Sequence, residues 1–172
     1  GSGGSITGIA SQTVNYGSNG STVTAVPNTG YNFTGWSDGE LTASRTDLNV
    51  TANISVTANF SIDTFALTYD ASSGGSITGS TPQTVNFGSN GASVTAVPNS
   101  GYSFTNWSDG VLTASRTDLN VTENISVTAN FSINIQSLSY ISGSGGSISG
   151  STSQTVNIGA DGTSVTAVPD TG

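Results

Sequence analysis

The chain repeats itself every 71 residues. Gly3-Gly4-Ser5-Ile6-Thr7-Gly8 returns as Gly74-Gly75-Ser76-Ile77-Thr78-Gly79 and again as Gly145-Gly146-Ser147-Ile148-Ser149-Gly150. A period this long exceeds most solenoid repeats and amounts to one small domain per cycle. The fold must therefore be a string of like modules. Each cycle is organised around one dense block, Val97-Pro98-Asn99-Ser100-Gly101-Tyr102-Ser103-Phe104-Thr105-Asn106-Trp107-Ser108-Asp109-Gly110. The same block runs earlier from Val26 to Gly39, and a third begins at Val168-Pro169-Asp170-Thr171-Gly172. Pro98 presets a turn, Gly101 accepts positive φ at its end, and Asp109-Gly110 is a strong tight-turn pair. Between the turns Tyr102 and Phe104 alternate to one side while Trp107 falls out of step. That predicts a bulge or a strand end beside it. Large aromatic side chains bury about 150 to 250 Å² each, so Tyr31, Phe33, Trp36 and Phe60 are the expected core of one module. Tyr102, Phe104, Trp107 and Phe131 are the expected core of the next.

The middle cycle shows one complete round. Phe65, Leu67 and Tyr69 alternate with Ala66, Thr68 and Asp70, as in a half-buried strand. A short strand is expected around Ile77, and residues 83–87 place Val85 and Phe87 on one face. Ser89-Asn90-Gly91 then reads as a hairpin turn leading into a strand over residues 93–97. Leu119 and Val121 suggest another strand, with Thr122-Glu123-Asn124 as its turn. Ile125, Val127, Ala129, Phe131 and Ile133 give the cleanest alternation in the chain. No stretch holds a helical spacing long enough for a helix, and residues 111–116 leave room for one turn at most. The expected fold class is therefore all-β, as tandem small strand-dominated modules of about 71 residues set end to end.

Boundaries are expected near Ile62-Asp63-Thr64 and Ile133-Asn134-Ile135. They give a module lacking its first strand at 1–62, a complete one at 63–133, and the N-terminal part of a third at 134–172. The sequence starts and stops inside a repeat and so reads as a segment of something longer. Connections this short should hold neighbouring modules semi-rigidly. Similarity between copies is what duplication leaves behind, and is not by itself a mark of a site.

Charge decides which partners are excluded. Only 7% of residues are charged, against about 25% in ordinary globular proteins. Arg45 and Arg116 are the sole strong cations and the net charge is −8. No basic patch exists for phosphates or anionic lipid, so neither nucleic-acid binding nor membrane insertion is expected. Exposed sheet edges are normally guarded by charge, above all by Lys, and this chain has none. Strand pairing with neighbouring modules of the same chain, or with further copies, is accordingly an expected mode of association.

The same composition argues against catalysis. There is no His, Cys or Lys, so no serine has a base beside it and no group titrates near neutral pH. Asp38 with Glu40 is a carboxylate pair in one copy only, because Val111 stands in place of the glutamate in the next. Asp109, Asp118 and Glu123 are too scattered for a calcium loop. No enzyme activity, cofactor or metal is expected. Arg45 with Asp47, and Arg116 with Asp118, two apart along a strand, read as surface ion pairs worth at most about 1 kcal/mol. Asn-X-Ser/Thr triplets at Asn49, Asn53, Asn59, Asn120, Asn124 and Asn130 are what chance gives in so Asn-, Ser- and Thr-rich a chain. Trp36 and Trp107 carry the one ligand reading, since aromatic faces with amide and hydroxyl neighbours stack on sugars; buried indoles would speak against it.

At Gly101-Tyr102-x-Phe104-x-x-Trp107-Ser108-Asp109-Gly110 followed by Val127-Thr128-Ala129-Asn130-Phe131, the chain resembles the divergent branch of the internalin B-repeat family. Gly30-Tyr31-x-Phe33-x-x-Trp36 with Val56-Thr57-Ala58-Asn59-Phe60 repeats the match. The resemblance implies a small β-grasp-like module strung in tandem in large bacterial proteins that are extracellular or displayed on the cell surface, as stalks or spacers. It brings no general catalytic residues. Without lysine, the Lys-Asn isopeptide crosslinks known in other surface stalks cannot form here. The expected role is a structural stalk or a fibre-forming segment that self-assembles into filaments by strand pairing. The alternative is an adhesin module binding cell-surface glycans through Trp36 and Trp107.

Overall fold

The computed structural model describes residues 2–172 and is built of strands and turns, with no helix among them. The first cycle forms β1 (Gly4–Thr7), β2 (Val23–Pro27), β3 (Tyr31–Trp36), β4 (Ser44–Arg45) and β5 (Ala58–Ile62). The second forms β6 (Thr64–Ala71), β7 (Gly75–Thr78), β8 (Gln83–Asn86), β9 (Val94–Pro98), β10 (Tyr102–Trp107), β11 (Ser115–Arg116) and β12 (Ile125–Ile133). The remainder supplies β13 (Ile135–Ser139), β14 (Gly146–Ser149), β15 (Ser153–Asn157) and β16 (Thr166–Pro169). The alternation that marked Phe65 to Asp70 and Ile125 to Ile133 thus emerges as the two longest strands. The segment 111–116 is irregular until β11 begins.

The strands pair in small sheets. Orders are β1-β2-β4 and β3-β5, then β10-β12-β6-β8 and β11-β9-β7, then β13-β15 and β14-β16. Backbone contacts divide the chain into two compact units, one of residues up to Leu67 with 83–91 and 118–125, the other of 68–82, 92–117 and 126–172. In the first, Ala25, Trp36 and Ala58 are buried and Ile6, Val23, Phe33, Val56 and Phe60 pack against them. In the second, Tyr69, Val94, Ala96, Trp107, Val127 and Ala129 are buried.

Two local devices build these cores. The first is a bulge. The β3–β5 register slips between Phe33 and Gly35, and the β10–β12 register slips between Phe104 and Asn106. One extra residue turns the tryptophan back to the side of the phenylalanine three positions earlier. Phe33 and Trp36 consequently meet edge to face at 5.9 Å, and Phe104 and Trp107 at 6.1 Å.

The second device is the Gly-Gly pair. A Cβ on Gly3 would stand 2.5 Å from the Tyr31 ring and one on Gly4 2.5 Å from the Phe60 ring. Gly74 and Gly75 would meet Tyr102 and Phe131 in the same way. The aromatic rings lie directly on backbone, and only glycine permits that approach.

The expected hairpin at Ser89-Asn90-Gly91 does not form, because β8 pairs with β6 while β9 belongs to another sheet. The segment is instead laced to residues 118–121. Gly88 N–H donates to Val121 O at 2.7 Å, Val121 N–H to Ser89 O at 2.9 Å, and Gly91 N–H to Asp118 O at 2.8 Å. The Asn90 side chain accepts from Asn120 N–H at 2.9 Å. Asn120 sits at φ 49°, in the left-handed region. That interrupts extended backbone, so the strand expected at Leu119 and Val121 is absent too.

Gly74 and Gly145 offer a matched test of ring-on-backbone packing, since both have positive φ and Gly145 has no neighbour within 4 Å. Gly74→Ala is expected to cost about 1 to 3 kcal/mol more than Gly145→Ala, from overpacking against Tyr102. Urea denaturation of the two variants measures the difference.

Candidate functional site

Each tryptophan ends its strand at a Ser-Asp-Gly turn. Gly39 N–H returns to Trp36 O at 2.9 Å and Gly110 N–H to Trp107 O at 2.8 Å. The indole N–H donates to a backbone carbonyl six residues on, Thr42 O or Thr113 O, at 3.0 Å in both cases. Trp36 is 5% exposed and Trp107 is fully buried. A guanidinium lies over each ring, with Arg45 Cζ 5.0 Å from the Trp36 centroid and Arg116 Cζ 5.1 Å from that of Trp107.

Both arginine side chains are sealed, at 9% and 7% exposure. The Arg45–Asp47 pair expected from spacing forms, but its guanidinium is sealed rather than at the surface. The aspartate of the tight turn reaches back to each of them. Arg45 Nη1 contacts Asp38 at 3.0 Å and Arg116 Nη1 contacts Asp109 at 3.0 Å, while Arg45 Nη2 also meets Asp47 at 2.5 Å. Charge-assisted hydrogen bonds of this kind are what permit a buried guanidinium. The Asp47 hydrogen bond raises the Arg45 pKa against a desolvation that lowers it, so the group stays cationic. Desolvation pushes the Asp38 carboxyl up, but hydrogen bonds from Arg45 and Glu40 N–H outweigh it and leave it below the ordinary value. Glu40 is also held low, by the hydroxyl and N–H of Thr42 at 2.7 and 2.9 Å.

The second recurrent geometry is a one-residue junction. Asp63 N–H donates to Gly30 O and Phe87 N–H donates to Asp63 O, both at 2.8 Å. Asn32 Nδ2 donates to the Asp63 carboxylate. One period on, Asn134 N–H donates to Gly101 O at 2.7 Å, Ile158 N–H to Asn134 O at 2.8 Å, and Ser103 Oγ to Asn134 Oδ1 at 2.6 Å. Gly30 carries φ 77° and lies against the Phe87 ring; Gly101 carries φ 82°, and a Cβ there would be 3.0 Å from Ile158. A single residue is thus clamped by main chain on both sides, twice.

The residues named from sequence fall as follows. Trp36 and Trp107 are buried, while Tyr31, Phe33, Phe60, Tyr102, Phe104 and Phe131 are half-buried and packed on one another or on the Gly-Gly pairs. Neither indole presents an open face for a sugar. Among the described residues no three His, Cys, Asp or Glu side chains gather as a metal site would require. Sequence reasoning missed Arg45 and Arg116 as core caps. The signal was there, since the only two cations occupy the same place in both cycles.

Arg116→Ala is expected to destabilise the chain by about 2 kcal/mol, through the lost cation–π contact and the uncovered ring, with Arg116→Lys recovering less than half. Tryptophan-monitored urea denaturation reads this. The Asp38 pKa is lowered on folding, so its contribution is present above the unfolded value and is lost as pH falls below about 4. The acid limb of stability against pH is expected to be shallower in Asp38→Asn than in the parent chain.

Comparison with known families matches the model described as divergent InlB B-repeat domain at residues 1–64 and again at 65–135. No curated protein and no solved structure matches. The two tandem matches take in well over half of the sequence, and the chain belongs to the divergent InlB B-repeat family.

Proposed function

We propose that this chain is a structural repeat segment of a bacterial cell-surface or secreted protein. Its modules extend the protein outward as a stalk, and strand pairing joins further copies into fibres. The observation that carries this reading is the junction repeated at Asp63 and Asn134, where one residue is hydrogen-bonded to main chain on both sides. A binding module needs no such clamp, whereas a spacer depends on it, because slack between modules shortens reach. Membership of a tandem-repeat family supports the same reading. No catalytic role belongs to it. The glycan-binding alternative has less support, since both indoles are buried and their N–H groups are already donated.

Proteins carrying two, four and eight tandem copies of residues 63–133 test the proposal. In negative-stain electron microscopy, contour length is expected to rise by a constant increment per copy. End-to-end distances that grow only as the square root of copy number, as for a flexible chain, would remove the stalk reading.

A further inference from the structure

The chain contains two Asn-Gly pairs, Asn19-Gly20 and Asn90-Gly91, one period apart. This dipeptide carries its own reactivity. Glycine has no Cβ, so its backbone nitrogen is unshielded and can turn toward the preceding side chain. There it attacks Cγ of the asparagine amide. The N–Cγ bond forms, the Cγ–Nδ2 bond breaks, the glycine N–H proton passes through water to the leaving nitrogen, and ammonia departs. Water then opens the cyclic imide at one of its two carbonyls. One opening gives aspartate; the other gives isoaspartate, whose main chain is routed through Cβ and is longer by one carbon. Water is the sole co-reactant.

In the folded chain both reacting groups are already engaged. Gly91 N–H donates to Asp118 O at 2.8 Å, and Asn90 Oδ1 accepts from Asn120 N–H at 2.9 Å. One period earlier Gly20 N–H donates to Asp47 O at 2.8 Å, and Asn19 Oδ1 accepts from Asn49 N–H at 2.9 Å. The attack requires the glycine nitrogen to leave its carbonyl and the asparagine side chain to swing off its donor. Gly91 is buried as well, which keeps water from its proton.

The hold is the lacing that replaces the hairpin expected at Ser89-Asn90-Gly91. Gly88 N–H to Val121 O and Val121 N–H to Ser89 O complete it in one module, at 2.7 and 2.9 Å. Gly17 N–H to Val50 O and Val50 N–H to Ser18 O complete it in the other, at 2.8 and 2.9 Å. Each lacing turns on one asparagine in the left-handed region, Asn49 at φ 48° and Asn120 at φ 49°. Four hydrogen bonds therefore stand between each Asn-Gly pair and its reaction.

The reaction acts back on the lacing. Aspartate at position 90 keeps an oxygen that accepts from Asn120 N–H. Isoaspartate adds a carbon to the main chain before Gly91, so the side-chain acceptor and Gly91 N–H no longer meet Asn120 and Asp118 together. A module that has reacted in this way cannot lace as before.

We propose that Asn19-Gly20 and Asn90-Gly91 are self-modification sites that the folded module silences: each reacts only when its lacing opens, and leaves a permanent mark of that opening in its own module. The proposal goes beyond the reading of the chain as a stalk and does not depend on it, since a module with any other task would carry the same mark.

The test holds the full 172-residue chain in mildly alkaline buffer, folded and in denaturing urea. Fragmentation of the intact chain in a mass spectrometer locates amide-to-acid conversion at positions 19 and 90. With four hydrogen bonds to break, conversion at each site is expected to be slower in the folded chain by about a hundredfold or more. Asn120→Ala puts a residue with a Cβ penalty in the left-handed region and leaves both reacting groups in place. It is expected to speed conversion at Asn90 about tenfold while Asn19 keeps its rate. Asn49→Ala is expected to do the reverse, and Asn120→Gly to match the parent chain. Amide hydrogen exchange is expected to show Gly91 and Val121 losing protection in chains that carry isoaspartate at 90 and keeping it in Asn90→Asp. Equal rates in the folded and unfolded chain would overturn the proposal. So would alanine variants that leave their own site unaccelerated, or that accelerate both sites alike, since the lacing would then not be the hold.

Discussion

A guanidinium lying about 5 Å above a buried indole is the contact around which each module closes. Remove the cation and the ring loses its cover; remove the tight-turn aspartate and the cation is left short of a counter-charge in a sealed place. The turn, the bulge and the two-residue strand that carries the arginine all serve that geometry. A cation–π contact is worth about 2 kcal/mol or more when desolvated, which is a large share of what a module of this size can spare. Small aliphatic side chains such as Leu67, Val94 and Val127 fill the rest of the core around it.

Much of this was legible in the sequence, and the parts that were not share a cause. The out-of-step Trp107 announced the bulge, and the period-2 run from Ile125 to Ile133 announced the longest strand, because both are local patterns. Ser89-Asn90-Gly91 has sound turn chemistry but answers to residues 118–121, some 30 positions away. Nothing local says that Asn120 will take the left-handed region and accept that lacing. For Arg45 the spacing pointed to Asp47 alone, yet Asp38 reaches it as well, because the turn folds seven residues back onto one place. The glycine pairs mark the repeat in the sequence, and their purpose, giving aromatic rings a bare backbone to lie on, shows only once the rings are placed. Phe87 and Ile158 stand one period apart, and both donate N–H to a junction residue. Their meaning depended on a junction that no single module contains.

The sparse charge acquires a physical sense from the same geometry. The two cations are spent inside, under turns, and the surface is left to hydroxyls and amides with a scatter of acids. Such a surface, at a net charge of −8, has no patches of opposite sign to steer one copy onto another. What specificity its packing has comes from backbone complementarity, in glycine faces and single-residue clamps.

Burying both arginines has a consequence for proteolysis. Proteases that cut after basic residues must draw an extended segment with an accessible cation into their cleft. On the folded chain both cations are beneath the surface, each in a short paired strand with its head group under an acid and over a ring. With no lysine in this sequence, Arg45 and Arg116 are the residues such an enzyme needs here, and it reaches them only after a module opens.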